Sequence, residues 1–217
     1  MQAREIISSV YRYANDRGHG LFNPAADIKP SAIAMFKPRD RCLQPEEIGV
    51  LFRSLDTVST LPTLKLAVKL ILITMVRKTE FIMATWKEVD FSKGTWTIPS
   101  DRMKGSRSHV IYLPPQAQDL MIGLQMCAGG SDYLLPGRYS TSKPLSNAAL
   151  NSVIDRAVAA AADAGESLQP LTVHDLRRTA STLLHEAGFP SDWIEKALAH
   201  EQKGVRAVYN KAEYSRQ

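Results

Sequence analysis

Apolar residues recur every three or four positions along most of the chain, which is the spacing of one face of an α-helix. The segments with this spacing are 4–17, 43–55, 115–127, 146–163, 173–187, 190–198 and a short one at 203–210. The segment 61–75 is apolar on nearly every side, as expected of a helix in the centre of a core. The pattern therefore predicts a mainly helical fold.

A second pattern occupies the middle of the chain and indicates β-strands. The segments 89–91, 95–99 and 110–113 are rich in Val, Ile, Trp, Phe and Tyr, and Ser92-Lys93-Gly94 supplies a hairpin turn after the first. A longer basic loop, DRMKGSRS, precedes the third strand. The expected fold class is therefore mainly α with a small antiparallel β-sheet (α+β).

The N-terminal part of the chain is predicted to be separate from the rest. Residues 1–28 contain one amphipathic helix, which cannot bury its apolar face by itself. Residues 29–41 contain Pro30, Pro38 and four basic residues but little periodicity, which is typical of a linker. We expect 1–28 to be the end of a domain that lies mostly outside this chain, and 42–217 to be the main domain.

The composition excludes several classes of protein. With 44% hydrophobic and 23% charged residues, the chain is neither intrinsically disordered nor collagen-like. Its only cysteines, Cys42 and Cys127, show no CxxC spacing, so we expect neither a disulfide framework nor a cysteine-rich zinc site. The net charge of +5 is compatible with a polyanionic partner without establishing one. No apolar run is long enough for a membrane span or a signal peptide, so an intracellular protein is expected.

Two arginines are placed where a phosphate could meet them. Arg77 directly follows the apolar segment 61–75, and Glu80, three residues on, can hold its guanidinium in place. His174 and Arg177 are also three residues apart, on the same side of a helix. A buried arginine is costly unless an anion meets it, and a planar guanidinium suits phosphate. For each of these residues taken alone, a structural role is the favoured interpretation, with salt bridges for the two arginines and a helix cap for His174.

The basic loop before the third predicted strand carries three positive charges, on Arg102, Lys104 and Arg107. A hairpin tip of this kind can bring one lysine into a neighbouring site or place charges against a DNA backbone. Charged residues are equally common in loops that only face solvent. The loop alone therefore decides nothing.

The C-terminal region holds two further candidates. His200 ends an apolar helix, and Tyr209 follows nine positions later. A phenolate can attack phosphorus if its proton is removed and the phosphate charge is neutralised. The alternative is that Tyr209, like Tyr214, packs as an ordinary aromatic residue. A zinc site formed by histidines 174, 185 and 200 is disfavoured, because no cysteine or acidic residue sits at ligand spacing.

Taken in chain order, these residues resemble the catalytic domain of the tyrosine recombinases, the phage integrase family. The resemblance runs from about Leu43 to the end and looks closest to the branch encoded by prophages and genomic islands. The similar segments are ITMVRKTEFIMATWKEVDF, IPSDRMKGSRSHVIYLPPQA, TVHDLRRTASTLLHEAG and LAHEQKGVRAVYNKAEY. EIISSVYRYANDRGHGLFNPAADI also resembles the closing helix of the family's core DNA-binding domain. The resemblance thus implies a tyrosine-recombinase catalytic-domain fold for 42–217.

The resemblance also implies a role for each residue of the catalytic set. Tyr209 would be the nucleophile that forms a 3′-phosphotyrosyl link, and Arg77 and Arg177 would bind the non-bridging phosphate oxygens. Lys104 would be the general acid for the leaving 5′-oxygen. The remaining assignments are His174 for the tyrosine proton, His200 for contact with the phosphate, Glu80 for orienting its neighbours, and Arg102, Arg107, Lys78 and Arg178 for binding DNA.

One residue departs from the family pattern. The family usually has glycine two residues before the first catalytic arginine, whereas this chain has Met75. The substitution affects the turn that presents Arg77.

The function implied is a site-specific DNA recombinase, an integrase that integrates or excises a mobile element such as a prophage. It would need no metal, ATP or other cofactor. Its expected partners are double-stranded DNA with paired attachment-type sites, further copies of itself in a tetramer, and accessory DNA-bending or directionality proteins, in the bacterial cytoplasm at the nucleoid. The alternatives are a type IB topoisomerase and a catalytically impaired DNA-binding accessory protein.

Overall fold

The structure, a computed structural model, describes residues 2–29, 40–103 and 107–200. The chain divides into two compact units, Met1–Asp40 and Arg41–Gln217. The helix predicted at 203–210 lies outside the described residues. No helix in the described ranges combines the length and hydrophobicity needed to cross a membrane.

The described part of the first unit contains one helix, α1, over Gln2–Asn15. The Asn15 side chain closes its end, since it accepts a hydrogen bond of 2.6 Å from the Leu21 amide and donates one of 2.8 Å to the Leu21 carbonyl. The apolar side chains of Ile6, Val10 and Tyr13 are each at least 60% exposed. This unit therefore leaves one side of its helix uncovered.

The second unit is built around a buried helix. Its helices are α2 (Pro45–Thr57), α3 (Pro62–Thr74), α4 (Lys78–Ile82), α5 (Pro115–Cys127), α6 (Ala149–Asp163), α7 (Val173–Glu186) and α8 (Ser191–Ala197). Helix α3 packs against α5, α6 and α7, and α2 packs against α6. Seven of the thirteen residues of α3 are buried, as the apolar pattern of 61–75 predicts.

A three-stranded antiparallel sheet joins α4 to α5. Its strands are β1 (Val89–Asp90), β2 (Thr95–Ile98) and β3 (His109–Tyr112), in the order β1-β2-β3. Trp96 pairs with Ile111 and both are buried, whereas Val110 and Tyr112 on the opposite face are exposed. The Trp96 ring also meets the Phe81 ring of α4, with centroids 5.2 Å apart. This contact joins the sheet to the helix that follows Arg77.

A second, two-stranded sheet was not predicted from the sequence. It pairs β4 (Pro136–Gly137) with β5 (Ser140–Pro144). The segment STSKP has no apolar alternation, so nothing in its pattern indicates a strand. A Cβ atom at Gly137 would lie within about 3.2 Å of three carbonyl oxygens, including that of Ser140. Glycine is therefore required where these two strands cross closely.

The helical spacing of the apolar residues in 173–187 predicts that Leu176, Ala180, Leu183, Leu184 and Ala187 face the core, and this prediction is wrong in the last turn of α7. Leu176 and Ala180 are buried as expected, but Leu183 and Leu184 are only half-buried and Ala187 is exposed. This end of α7 packs against α8, which has only seven residues. Because α8 is short, it covers only the first part of the apolar face of α7.

Met75 adopts a backbone conformation that normally favours glycine. It caps the C-terminus of α3 with φ 53° and ψ 22°, in the left-handed region. Its side chain is buried in a small cluster with Ala180, Ile194 and Leu198. The methionine thus combines a strained backbone with a side chain that fills the space between α3, α7 and α8.

In a helix, an alanine variant is usually more stable than a glycine variant, and we expect the strain at Met75 to reverse this order of stability. Met75→Ala loses the buried side chain and should lower the free energy of unfolding by about 2 kcal/mol or more. Met75→Gly loses the same contacts but relieves the strain, so it should be about 1 kcal/mol more stable than Met75→Ala. Urea denaturation of both variants measures the difference.

Ile73, two residues earlier and within α3, provides the matched control. At this helical position Ile73→Gly should be about 1 kcal/mol less stable than Ile73→Ala. If the alanine variant is more stable than the glycine variant at both positions, the result would contradict backbone strain at Met75.

Candidate active site

A cleft of about 370 Å³ opens where α4 and α7 begin. The residues that line it are Val76, Arg77, Lys78, Thr79, Asn151, Thr172, Val173, His174 and Arg177. The cleft therefore brings together both candidate arginines and the histidine that precedes the second, although almost 100 residues separate them in sequence.

Arg177 is buried beside the cleft and has no carboxylate partner among the described residues. Only 5% of it is exposed, and its Nη1 and Nη2 atoms donate to the carbonyl oxygens of Met75 and Leu198. Burial and the nearby positive Arg77 lower the pKa of Arg177 to about 10, so the guanidinium stays charged at neutral pH. A buried charge held only by neutral carbonyl groups favours an anion in the adjoining cleft.

Arg77 stands at the start of α4 and is oriented by Glu80. Its Nη1 lies 2.7 Å from Glu80 Oε1, and its backbone amide donates to Glu80 Oε2 over 3.1 Å. Glu80 is buried, whereas about a third of the Arg77 side chain remains exposed to the solvent. Together with Lys78, which also lines the cleft, the two arginines outnumber the single carboxylate of Glu80, so the cleft carries an excess of positive charge.

His174 lies in the first turn of α7 and is exposed to the cleft. It does not cap the helix, because Thr172 and Asp175 do so: the Thr172 amide and hydroxyl each donate to Asp175 Oδ2 over 2.8 Å. The T-x-x-D spacing of Thr172 and Asp175 predicts such a capping pair at a helix start, and the structure contains it. The imidazole is therefore available to a ligand in the cleft.

His200 follows α8 and reaches the same region through its chain neighbours. The Leu198 carbonyl accepts from Arg177, and Arg77 Nη2 lies 3.4 Å from Leu198 O and 3.5 Å from Ala199 O. The turn that carries His200 is thus bound by both arginines. Lys104 and Tyr209 lie outside the described residues, so their positions in this site stay a prediction.

Arg102 belongs to the first part of the basic loop and is held against the rest of the protein. Its guanidinium bonds Glu88 and donates to the Glu80 carbonyl over 3.0 Å, and only 18% of its side chain is exposed. Glu88 also accepts a 3.2 Å hydrogen bond from Trp96 Nε1. Arg102 therefore anchors the loop that carries Lys104 to α4 and to the sheet.

The other three residues assigned to DNA contact lie closer to solvent. Arg107 is exposed, and Lys78 lines the cleft with its Nζ 3.1 Å from the Asn147 carbonyl. Arg178 pairs with Asp175 at 3.1 Å and is one-third exposed. Their roles in binding DNA stay predictions.

Comparison with known proteins decides the family. Residues 41–216 match the model of the phage integrase family. The chain belongs to the phage integrase family. It is 31% identical over 212 residues to the prophage integrase IntA of Escherichia coli K12, covering 97% of this chain and 49% of that protein. The chain therefore spans about half the length of the curated relatives it matches.

Solved structures show the same fold. The Tn1549 transposon integrase in complex with a circular intermediate DNA matches with a TM-score of 0.67 at 15% identity, over 92% of this chain and 70% of that one. A lambda integrase tetramer bound to a Holliday junction matches with a TM-score of 0.66 at 20% identity, over 93% and 59%. The predicted fold class, with its tyrosine-recombinase catalytic domain, is confirmed.

Three residues near this phage-integrase cleft were not found from the sequence. Asn151 Oδ1 accepts from the Val173 amide over 3.1 Å and so steadies the start of α7. Glu195 contacts His200, and His109 lies half-buried at the start of β3. The only sequence signals are an acidic residue five positions before His200 and a histidine five positions after Lys104.

We expect His109 to make the stability of this family member depend on pH. Burial lowers the pKa of His109, and the positive charges of Arg177 and Arg77 act in the same direction. The charge of Glu80 and a hydrogen bond with the Ala197 backbone oppose this shift only in part. Below about pH 6.5, the ordinary pKa of histidine, the unfolded chain therefore binds a proton at His109 more readily than the folded chain does.

This contribution to the free energy of unfolding is fully present above about pH 6.5 and is lost as the pH falls below it. Because His109→Gln cannot titrate, the parent should lose stability relative to this variant when urea denaturation is repeated near pH 5.5 instead of 7.5. An identical difference at both pH values would contradict the prediction.

Proposed function

We propose that the chain carries the catalytic domain of a site-specific DNA recombinase that cleaves and rejoins DNA through a covalent 3′-phosphotyrosine. The observation that carries the proposal is the buried charge of Arg177, which has no carboxylate partner among the described residues and adjoins a cleft with Arg77 and His174. The names of the relatives, prophage and phage integrases, support it.

The two arginines bind the non-bridging oxygens of the scissile phosphate. A guanidinium has five N–H donors, and Arg177 uses two of them for the carbonyls of Met75 and Leu198. The remaining donors are free to meet the phosphate without disturbing these contacts. Donors that are held in place before the reaction stabilise the pentacoordinate transition state without a cost of reorganisation.

The bond changes balance within the protein and the DNA. The Tyr209 oxygen forms a bond to phosphorus as the bond to the 5′-oxygen breaks, and His174 takes the phenolic proton. Lys104 protonates the leaving 5′-oxygen, and His200 contacts the phosphate. The phosphotyrosyl ester conserves the energy of the phosphodiester, so rejoining needs no ATP. Because arginines neutralise the phosphate, the reaction needs no metal ion.

The partners follow from the same proposal. The substrate is double-stranded DNA with paired attachment-type sites, bound in part by Arg107, Lys78 and Arg178, while Arg102 holds the loop of Lys104. Four copies assemble on the DNA, in line with the lambda integrase tetramer bound to a Holliday junction. Accessory DNA-bending or directionality proteins determine whether the element is integrated or excised.

Residues 1–28 form the end of a core DNA-binding domain, and residues 29–41 link that domain to the catalytic domain.

A nicked duplex tests this function directly. A nick next to the cleavage site releases a short strand after cleavage and traps the covalent intermediate. The DNA should carry the sequences that flank the encoding gene, with an unrelated duplex as control. We expect an adduct that survives detergent and forms equally well in EDTA.

Two results would overturn the proposal or part of it. Tight binding of the flanking DNA without any adduct would favour the accessory-protein alternative. An adduct that disappears in EDTA and returns with added magnesium would disprove the metal-free reaction.

A further inference from the structure

Glu195 binds His200 through its main chain. The residues after α8 form a turn in which the His200 amide donates to the Glu195 carbonyl over 2.9 Å and the Ala199 amide donates to the Lys196 carbonyl over 2.9 Å. Ala199 has φ 48°, in the left-handed region that this helix ending requires. The position of the His200 backbone is therefore set relative to Glu195.

Glu195 also binds the His200 ring. Its Oε2 lies 2.7 Å from Nδ1 of the imidazole. An ionised carboxylate can only accept a hydrogen bond, so this contact requires that Nδ1 carries the hydrogen. Nε2 is then the one ring nitrogen left to meet a ligand, and the contact also restricts rotation of the ring.

The same turn is bound to the candidate active site. Arg177 donates to the Leu198 carbonyl, and Arg77 lies 3.4 Å from it. The negative charge of Glu195 is close enough to act electrostatically on Arg177. The turn after α8 therefore contacts both arginines, and the same turn carries His200, whose ring Glu195 holds.

Helix stability does not account for a glutamate at this position. Glu195 lies in the last turn of the seven-residue α8, where the helix dipole disfavours a negative charge. The pair is also 39% and 46% exposed, and exposed ion pairs add only about 0–1 kcal/mol to stability. A role in holding the imidazole explains the residue better.

We propose that Glu195 is a positioning residue that holds the hydrogen of His200 on Nδ1 and so presents Nε2 to the reacting phosphate. The inference rests on the proposed function for its catalytic consequence. The tautomer itself does not depend on that function. A carboxylate that holds a catalytic imidazole in one tautomer is a recurrent device in enzymes.

The tautomer is measured first, on the whole chain without DNA. Nitrogen spectra of the histidine rings at alkaline pH distinguish a protonated from an unprotonated Nδ1, and His200→Gln identifies the signal. We expect Nδ1 to be protonated in the parent and in Glu195→Gln, whose amide oxygen can accept the same hydrogen bond. Glu195→Ala should give a mixture of both tautomers. A parent protonated on Nε2 would overturn the proposal.

The catalytic consequence is measured with the nicked duplex at saturating DNA. Glu195→Ala should form the adduct about 10- to 100-fold more slowly, with unchanged DNA affinity, and Glu195→Gln should retain most of the parent rate. Glu186→Ala removes an exposed carboxylate from the last turn of α7 and should change nothing.

The outcomes distinguish the tautomer of His200 from its effect on the cleavage rate. An Nδ1-protonated ring combined with a Glu195→Ala rate within twofold of the parent would overturn the positioning role. Equal loss in Glu195→Gln and Glu195→Ala would also overturn it, because the hydrogen bond would then not be what matters. Absence of any adduct in the parent would reject the proposed function instead, while the tautomer result would stand.

Discussion

Replacing Tyr209 by phenylalanine is expected to abolish covalent attachment to DNA while leaving DNA affinity nearly unchanged. The substitution removes one hydroxyl oxygen, which is the nucleophile, and none of the positive charge that binds the phosphate backbone. Adduct formation on the nicked duplex should fall below detection. Equilibrium binding at fixed salt, measured on the same DNA, shows whether the affinity is preserved.

Tyr214 provides the matched control, because it lies five residues further along the same segment. Tyr214→Phe should form the adduct at close to the parent rate. An adduct in Tyr209→Phe together with its loss in Tyr214→Phe would transfer the nucleophile to Tyr214. Peptide mapping of the parent's adduct identifies the attached tyrosine independently.

The second large effect is expected at Arg177. Arg177→Lys keeps the positive charge but cannot hold the carbonyls of Met75 and Leu198 and a phosphate at once, because an ammonium lacks the guanidinium's planar fork. We expect cleavage to slow by about a hundred- to a thousandfold, the loss typical of a preorganised donor to a developing charge. Single-turnover rates on the nicked duplex measure this.

Arg178, the next residue on α7, distinguishes a local charge effect from the specific role of Arg177. It pairs with Asp175 and is one-third exposed, so Arg178→Lys should keep the cleavage rate within about tenfold. Because the substitution retains the positive charge, it should leave the salt dependence of DNA binding nearly unchanged. Thermal unfolding of both variants shows whether the fold is retained. Equal losses at the two positions would contradict the role given to Arg177.

Features that depend on neighbours in sequence could be predicted from the sequence. The apolar spacing located α3 and α7, and the strand segments located β1 to β3 within one or two residues. The contacts of Arg77 with Glu80 and of Thr172 with Asp175 span three residues, a separation that a helix start brings together. Local backbone geometry alone determines such pairs.

The catalytic candidates also followed from residue types in chain order, but their environments did not. The sequence identified Arg102 only as a charged loop residue and a candidate for DNA binding, whereas the structure holds it against Glu88 and the Glu80 carbonyl. Nor did any pattern indicate the β4–β5 hairpin, which depends on a close approach of backbones at Gly137. These contacts join segments at sequence separations that neither a helical nor a strand period predicts.

By itself, the sequence predicted every described helix except the short α4, as well as the first sheet and the candidate residues Arg77, His174 and Arg177 that line the cleft. Hydrophobic period and helix-start chemistry are local properties. Only the tertiary structure decided what Arg177 binds, since Met75 and Leu198 reach it from the ends of two other helices. It also decided that the Met75 backbone is in the left-handed region and that His109 is half-buried, close enough to the two arginines to be affected by their charges. Burial and carbonyl contacts depend on how distant segments pack, and no local pattern encodes that packing.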